Sequence, residues 1–255
     1  MREDWRLLDL MVSDCYTQMA MDEAIAYARG RGETPDTIRL YRWSPSAVSI
    51  GYFQSLEEVV DLEACRRLGV DVIRRISGGG AVFHDCEGEI TYSLTTGEGN
   101  PKIPRDISKS YRVICAGIVE ALKNLGLEAE FKPINDILVG GRKISGNAQT
   151  RRYGSVLQHG TVLLDFDARK MFTVLKVSKE KISDKAIRQA EERVTTIRRE
   201  LRRPVSFSEV RDALVSGFER ALGINLVPGR LSRLEEELVR KFRERYASGE
   251  WLHRR

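Results

Sequence analysis

Arg74-Arg75-Ile76-Ser77-Gly78-Gly79-Gly80-Ala81-Val82-Phe83-His84-Asp85 sets three consecutive glycines between a basic pair and an apolar, strand-like run. Glycine has no Cβ, so such a loop can take positive φ and bring bare peptide N–H groups against a carboxylate or phosphate. The arginines beside it add fixed charge with a forked geometry suited to oxyanions. Taken alone, the run also suits a tight connection between two strands with a solvated basic flank. It belongs to neither common nucleotide signature, because the chain has no G-x-x-x-x-G-K-[ST] and no G-x-G-x-x-G that follows a strand and opens a helix.

Residues 70–74 read as a buried strand leading into the loop and 89–95 as the next strand. Upstream, Asp61 caps a short helix to residue 68. Strands at 37–43 and 47–52 meet at Ser44-Pro45-Ser46, a helix covers 17–29 and stops at Gly30, and 6–10 forms a first strand. Downstream, Ile107, Tyr111, Ile114, Ile118, Ala121, Leu122 and Leu125 recur at steps of three and four. They mark an amphipathic helix over 106–125, ended by Gly126 and covering one face of a sheet. Strands follow at 129–132, 136–139, 143–146 and 155–164, the second and third joined by a Gly140-Gly141 hairpin turn. Helices are expected at 168–174, 185–199, 208–222 and 231–246, the last with an apolar stripe for core packing. Short turns join the strands as often as helices do, which predicts an α/β fold with a mixed, largely antiparallel sheet flanked by helices. The whole chain, 1–255, reads as one domain, with 204–255 as closing C-terminal helices after a basic break at 198–204.

At 255 residues and 42% hydrophobic the chain can bury one substantial core. It has no stretch of about 18 apolar residues. The opening MREDWRLLDL lacks a signal-peptide core. These features predict a soluble, cytoplasmic protein without a membrane association. The net charge of +5 comes from Lys and Arg interleaved with Asp and Glu. That pattern argues against a nucleic-acid partner and for an acidic partner protein or an anionic ligand. Cys15, Cys65, Cys86 and Cys115 stand far apart with no C-x-x-C, which excludes a zinc knuckle and a redox pair.

Lys143 follows the Gly-Gly turn on a short strand. Its ammonium can sit where two anions must be held together and can stabilise an oxyanion. An exposed strand-edge lysine fits the same position. Asn135-Asp136 suits a turn as well as a site, and His159, with no second histidine at ligand spacing, reads as lining a pocket rather than binding a metal.

Together with Asn135-Asp136, Gly141-Arg142-Lys143-Ile144-Ser145-Gly146 and Gln158-His159-Gly160-Thr161, the glycine run resembles the lipoate–protein ligase A family. The catalytic domain of that family is related to biotin protein ligases and has a class II aminoacyl-tRNA synthetase-like fold. The likeness extends from about Trp5 to Trp251. It implies an enzyme that forms lipoyl-AMP from lipoate and ATP with Mg²⁺, then passes the lipoyl group to a lysine of a carrier domain. Such carriers are the dehydrogenase acyltransferase subunits and the glycine-cleavage H protein.

Carried over, the resemblance makes Lys143 catalytic and implies that Arg75, Gly80, Ala81, Val82, Phe83, Asn135, Asp136 and Lys143 hold the nucleotide. Gly78, Gly79, His159, Gly160 and Thr161 would hold the lipoyl part beside Lys143, and Asp136 would meet Mg²⁺. His84 is assigned only a supporting hydrogen bond, and the acyl tail a tunnel of apolar strand residues. The accessory C-terminal domain of longer members is not seen, which implies a separate accessory subunit for adenylation. Ser145 to Arg152 with the Gln-His-Gly motif also resembles cysteine-dependent octanoyltransferases that take their acyl group from acyl carrier protein. Those need a cysteine shortly before the lysine strand, and 131–141 holds none.

Overall fold

The computed structural model describes residues 2–176 and 184–254. Eleven strands and ten helices are built from these residues. The chain opens with β1 (Glu3–Ser13), α1 (Cys15–Gly30), β2 (Thr37–Trp43), β3 (Ala47–Ile50), α2 (Leu56–Val59) and α3 (Leu62–Leu68). Then come β4 (Asp71–Arg74), β5 (Val82–His84), β6 (Glu89–Gly97), α4 (Ile107–Asn124) and β7 (Ala129–Lys132). The middle continues through β8 (Asp136–Val139), β9 (Arg142–Arg152), β10 (Ser155–Leu163), α5 (Ala168–Val174) and α6 (Asp184–Arg193). It closes with α7 (Ile197–Leu201), α8 (Phe207–Leu222), β11 (Ile224–Pro228), α9 (Arg233–Tyr246) and α10 (Gly249–His253).

The large sheet has the order β11-β1-β2-β6-β10-β9-β8-β7, and β4-β3-β5 form a second, smaller one. Only β11-β1, β1-β2 and β3-β4 pair in parallel, so the sheets are mixed and largely antiparallel, as the short connections predict. Helices α4 and α8 cover one face of the large sheet through Ile114, Ile118, Leu214 and Phe218. On the other side α1 and α9 pack around Met19, Ala24, Val239 and Tyr246. This second layer and the small sheet enclose the space in which the glycine, lysine and histidine motifs meet. The stripe on α9 is core packing, as expected.

Local sequence sets the boundaries. Asp14, Asp61 and Asp106 accept from the third backbone N–H beyond themselves and start α1, α3 and α4. Gly140 and Gly141 have φ of +56° and +74°, the backbone of a tight hairpin turn that carries β8 into β9. Gly30 differs from expectation. It lies inside α1 rather than after it, and a Cβ there would meet the Tyr153 carbonyl oxygen at 1.8 Å, so close packing requires the glycine.

Two expectations are corrected. The single helix over 185–199 is two helices, since Thr195 N–H donates to Lys143 O at 2.8 Å and the Thr196 side chain caps α7. Its first residue falls within α6. Residues 204–255 are also more than closing helices: β11 joins the large sheet in register with Glu3–Leu7. No described helix is long and apolar enough to cross a membrane.

Candidate active site

One cavity of about 220 Å³ collects the motifs. Of the predicted residues, Arg75, Gly79, Gly80, Ala81, Val82, Asn135, Lys143, His159, Gly160 and Thr161 line it. Gly78, Phe83 and Asp136 do not. Alternation along β5 explains Phe83: Val82 and His84 face the cavity, and Phe83 turns to the cluster around Val48 and Ile50. The apolar wall is supplied by Met19 of α1, Tyr41 and Trp43 of β2, and Ala148 of β9. These residues were not predicted, because nothing local in sequence ties α1 and β2 to a loop some thirty or more positions away. An apolar cavity of about 150 Å³ accepts a benzene ring, so this one has room for a short to medium acyl chain.

The glycine loop is shaped from behind by Arg75, 5% exposed. Its Nε donates to Ser77 Oγ at 3.1 Å, Nη1 to Ser49 O and Oγ at 3.0 and 3.2 Å, and Nη2 to Gly78 O and Gly80 O at 2.7 and 2.8 Å. A guanidinium has five N–H groups. All are engaged within the chain, and the two loop carbonyls are drawn inward. Among the described residues the N–H groups of Gly78, Gly79 and Gly80 meet no acceptor of the chain. Burial pushes Arg75 down to about 10, so it stays a cation at neutral pH.

Lys143 faces the loop from β9. A bulge makes this possible: Ile137 pairs with Ser145 but Leu138 with Lys143, leaving Ile144 as the extra residue. One extra residue reverses the alternation and places Lys143 on the same face as Gly146 and its partner Asp136. The lysine side chain then lies over Gly146, where a Cβ would stand 2.8 Å from Cε and 2.9 Å from Nζ. Lys143 Nζ is 2.7 Å from Asp136 Oδ1, and the lysine side chain is 43% exposed. Asn135 is clamped by Asn147, whose Nδ2 donates to Asn135 O at 2.8 Å, and Asn135 Nδ2 donates back to Asn147 O at 2.5 Å.

The residues do not fit a resident Mg²⁺. No carboxylate lines the cavity, Asp136 is already paired with an ammonium, and no group of three or more His, Cys, Asp and Glu stands at metal-binding spacing among the described residues. The cysteines are likewise absent from the lining. Burial pushes the thiols of Cys65 to about 11 and Cys115 to about 12 and raises Cys15 further, so none of the three supplies thiolate at neutral pH.

Both cavity histidines sit between a serine and a carboxylate. His159 Nδ1 is 3.0 Å from Asp22 Oδ2 and its Nε2 2.6 Å from Ser77 Oγ. His84 Nδ1 is 2.7 Å from Glu89 Oε1 and its Nε2 2.8 Å from Ser49 Oγ. Asp22 is also bound by Arg39 Nη1 at 2.5 Å and the Tyr41 hydroxyl at 3.2 Å. Burial raises its pKa, but Arg39 and His159 outweigh that and hold the carboxyl below its ordinary value.

The decisive comparison is the model of the lipoyl protein ligase A/B catalytic domain, which matches residues 14–219. The chain belongs to that family. Among solved structures, a bi-partite lipoate protein ligase from Thermoplasma acidophilum superposes with a TM-score of 0.87 at 33% identity, over 98% of this chain and 96% of that one. A lipoate-protein ligase A bound with ATP gives a TM-score of 0.84 at 32% identity, over 98% of both chains. The octanoyltransferase LipM of Kyrpidia tusciae is 38% identical across 99% of this chain and all of its own. LipM of Bacillus subtilis is 34% identical across 100% of this chain and 99% of its own.

These relatives overturn the expectation of an ATP-dependent ligase, since curated proteins matched from end to end are octanoyltransferases. The error has a physical origin. A glycine loop and a lysine beside one cavity suit any activated acyl carbonyl, whether its leaving group is AMP or a thiol, so these motifs do not separate the two reactions. The accessory subunit for adenylation followed from the ligase reading and loses its basis with it. The chain is an enzyme of the lipoyl ligase A/B family concerned with lipoylation.

Proposed function

We propose that this protein transfers an octanoyl group from the thioester of acyl carrier protein to the ε-amine of a lysine on a lipoyl-accepting domain. The observation that carries the reading is the end-to-end match to octanoyltransferases at 33–38% identity. Supporting it, the cavity has room for an acyl chain and is lined both by Lys143 and by Gly79 and Gly80, whose N–H groups meet no acceptor among the described residues.

The thioester carbonyl lies between Lys143 and the Gly79-Gly80 part of the loop. As the carbonyl carbon becomes tetrahedral, charge develops on its oxygen. Preorganised donors of this kind are worth about 3–4 kcal/mol each to such a transition state. The new C–N bond replaces the C–S bond, and the departing thiol carries away a proton that the amine loses. Asp136 positions the lysine ammonium, and Arg75 positions the loop. Val82, Ala148 and the Tyr41-Trp43 wall hold the chain, while His159, Gly160 and Thr161 line the cavity beside them.

The purified chain is incubated with octanoyl acyl carrier protein and an unmodified lipoyl domain in the absence of nucleotide, and the domain is weighed by mass spectrometry. Gain of one octanoyl group at its acceptor lysine is expected. Absence of that gain, with modification appearing only when free lipoate and ATP are supplied, overturns the proposal.

A further inference from the structure

An acyltransferase of the cysteine-dependent kind keeps its acyl group on the enzyme between donor and acceptor, yet no cysteine lines this cavity. We propose that Ser49 takes that place, with His84 as its base and Glu89 as the residue that positions the base. The inference rests on the transfer reading above and adds a covalent step to it.

Geometry singles out this serine. Glu89 can only accept when ionised, so His84 Nδ1 carries the proton toward it at 2.7 Å and Nε2 is left to accept the Ser49 hydroxyl at 2.8 Å. Nucleophile, base and orienting carboxylate therefore stand in the order that acyl-transfer chemistry uses. Glu89 is 1% exposed and also accepts from the neutral Thr91 hydroxyl at 2.8 Å, which is itself held by Trp43 Nε1 at 2.7 Å. Its charge is therefore available to the imidazolium that forms. The Trp43 ring stacks on His84 with centroids 4.1 Å apart and fixes the imidazole plane.

The parallel chain, Ser77-His159-Asp22, is the weaker candidate. Ser77 does not line the cavity, and Arg39 already neutralises Asp22 at 2.5 Å. Ser49 and His84 both line it. Arg75 Nη1, 3.2 Å from Ser49 Oγ, favours the oxygen as it gains negative charge.

In the first step Ser49 Oγ attacks the thioester carbonyl and its proton passes to His84 Nε2. The C–S bond breaks, and His84 returns the proton to the departing thiolate. In the second step the neutral lysine amine of the acceptor attacks the ester, its proton passes through His84, and Ser49 leaves as the hydroxyl. The sum is thioester plus amine giving amide plus thiol, with no other reactant.

The test mixes wild-type protein with octanoyl acyl carrier protein, without acceptor, and maps any adduct by peptide mass spectrometry. A parallel arm uses an alkyl fluorophosphonate, which labels activated serines regardless of the acyl donor. Stoichiometric octanoylation and phosphonylation of Ser49 are expected. Ser49→Ala should lose both and slow transfer on the order of 10²-fold or more, and Ser49→Cys should carry the octanoyl group as a thioester. Transfer that runs at full rate with no adduct and no label overturns the serine and leaves the transferase reading standing. Label on Ser49 without transfer from the carrier thioester overturns the transferase reading and keeps the nucleophile. An adduct on another residue, or wild-type transfer by Ser49→Ala, overturns the proposal outright.

Discussion

Two cations face the same cavity and are held in opposite ways. Arg75 is buried, with each of its five N–H groups bonded to the chain. Lys143 is 43% exposed, and among the described residues its ion pair is with Asp136. A cation whose donors are all spent on its own fold cannot take up a passing anion without unmaking that fold. A cation with one partner on a flexible stem can. On the proposed function Arg75 therefore builds the site and Lys143 works in it, although both stand in the sequence as basic residues near glycines.

Replacing the builder should have the largest consequence. Arg75→Ala strands two loop carbonyls and leaves a cavity, and the chain should lose about 3 kcal/mol or more of stability along with transfer activity. Urea unfolding and the single-turnover rate measure the two losses. If Arg75→Ala keeps its stability and loses only activity, the assignment of the two cations is reversed.

Gly146→Ala sharpens the contrast from the other side. The new Cβ would collide with the end of the lysine side chain rather than with backbone, so Lys143 shifts and the sheet does not. Transfer should slow about tenfold, with the thermal midpoint near that of the wild type. A large fall in midpoint would show that Gly146 serves packing instead.

Acid tests the layer behind the histidines. The folded pKa of Asp22 lies below its ordinary value of 3.8, so its contribution to stability is complete above that value and is lost as pH falls through the folded pKa. Thermal midpoints should drop below about pH 4 in the wild type, and the drop should be shallower in Asp22→Asn. Equal slopes would remove Asp22 from the account. The smallest effect is expected at Cys86, which does not line the cavity: Cys86→Ser should transfer at close to the wild-type rate.

Much of this architecture is legible in sequence, for local reasons. Asp14, Asp61 and Asp106 announce helix starts, Gly140-Gly141 announces a hairpin, and the apolar spacing of α4 reports a helix on a sheet. Motif residues such as Lys143, Gly79 and His159 could be gathered into one site only through the resemblance to the lipoate–protein ligase A family, since each alone fits a turn, an edge or a pocket wall. Three things were not legible. The strand β11 is short and its pairing with β1 spans most of the chain. The bulge at Ile144 depends on tertiary pairing. The two serine-histidine-carboxylate chains join residues up to 137 positions apart, as between Asp22 and His159. For the same reason Arg75 looks like an anion ligand in sequence and proves to be bonded throughout in the fold.

Lys143→Ala separates a lysine that acts on the acyl carbonyl from one that merely supports the fold. Single-turnover octanoyl transfer and thermal unfolding are measured on the same preparation of the variant and of the wild type. Loss of one positioned donor to the developing oxyanion predicts a fall in rate on the order of 10²- to 10³-fold. Because Lys143 is partly exposed and its salt bridge contributes little, the thermal midpoint should stay within about a degree or two. A variant that transfers at the wild-type rate, or one whose lost activity tracks a collapse in stability, would contradict the claim that Lys143 works in the site rather than builds it.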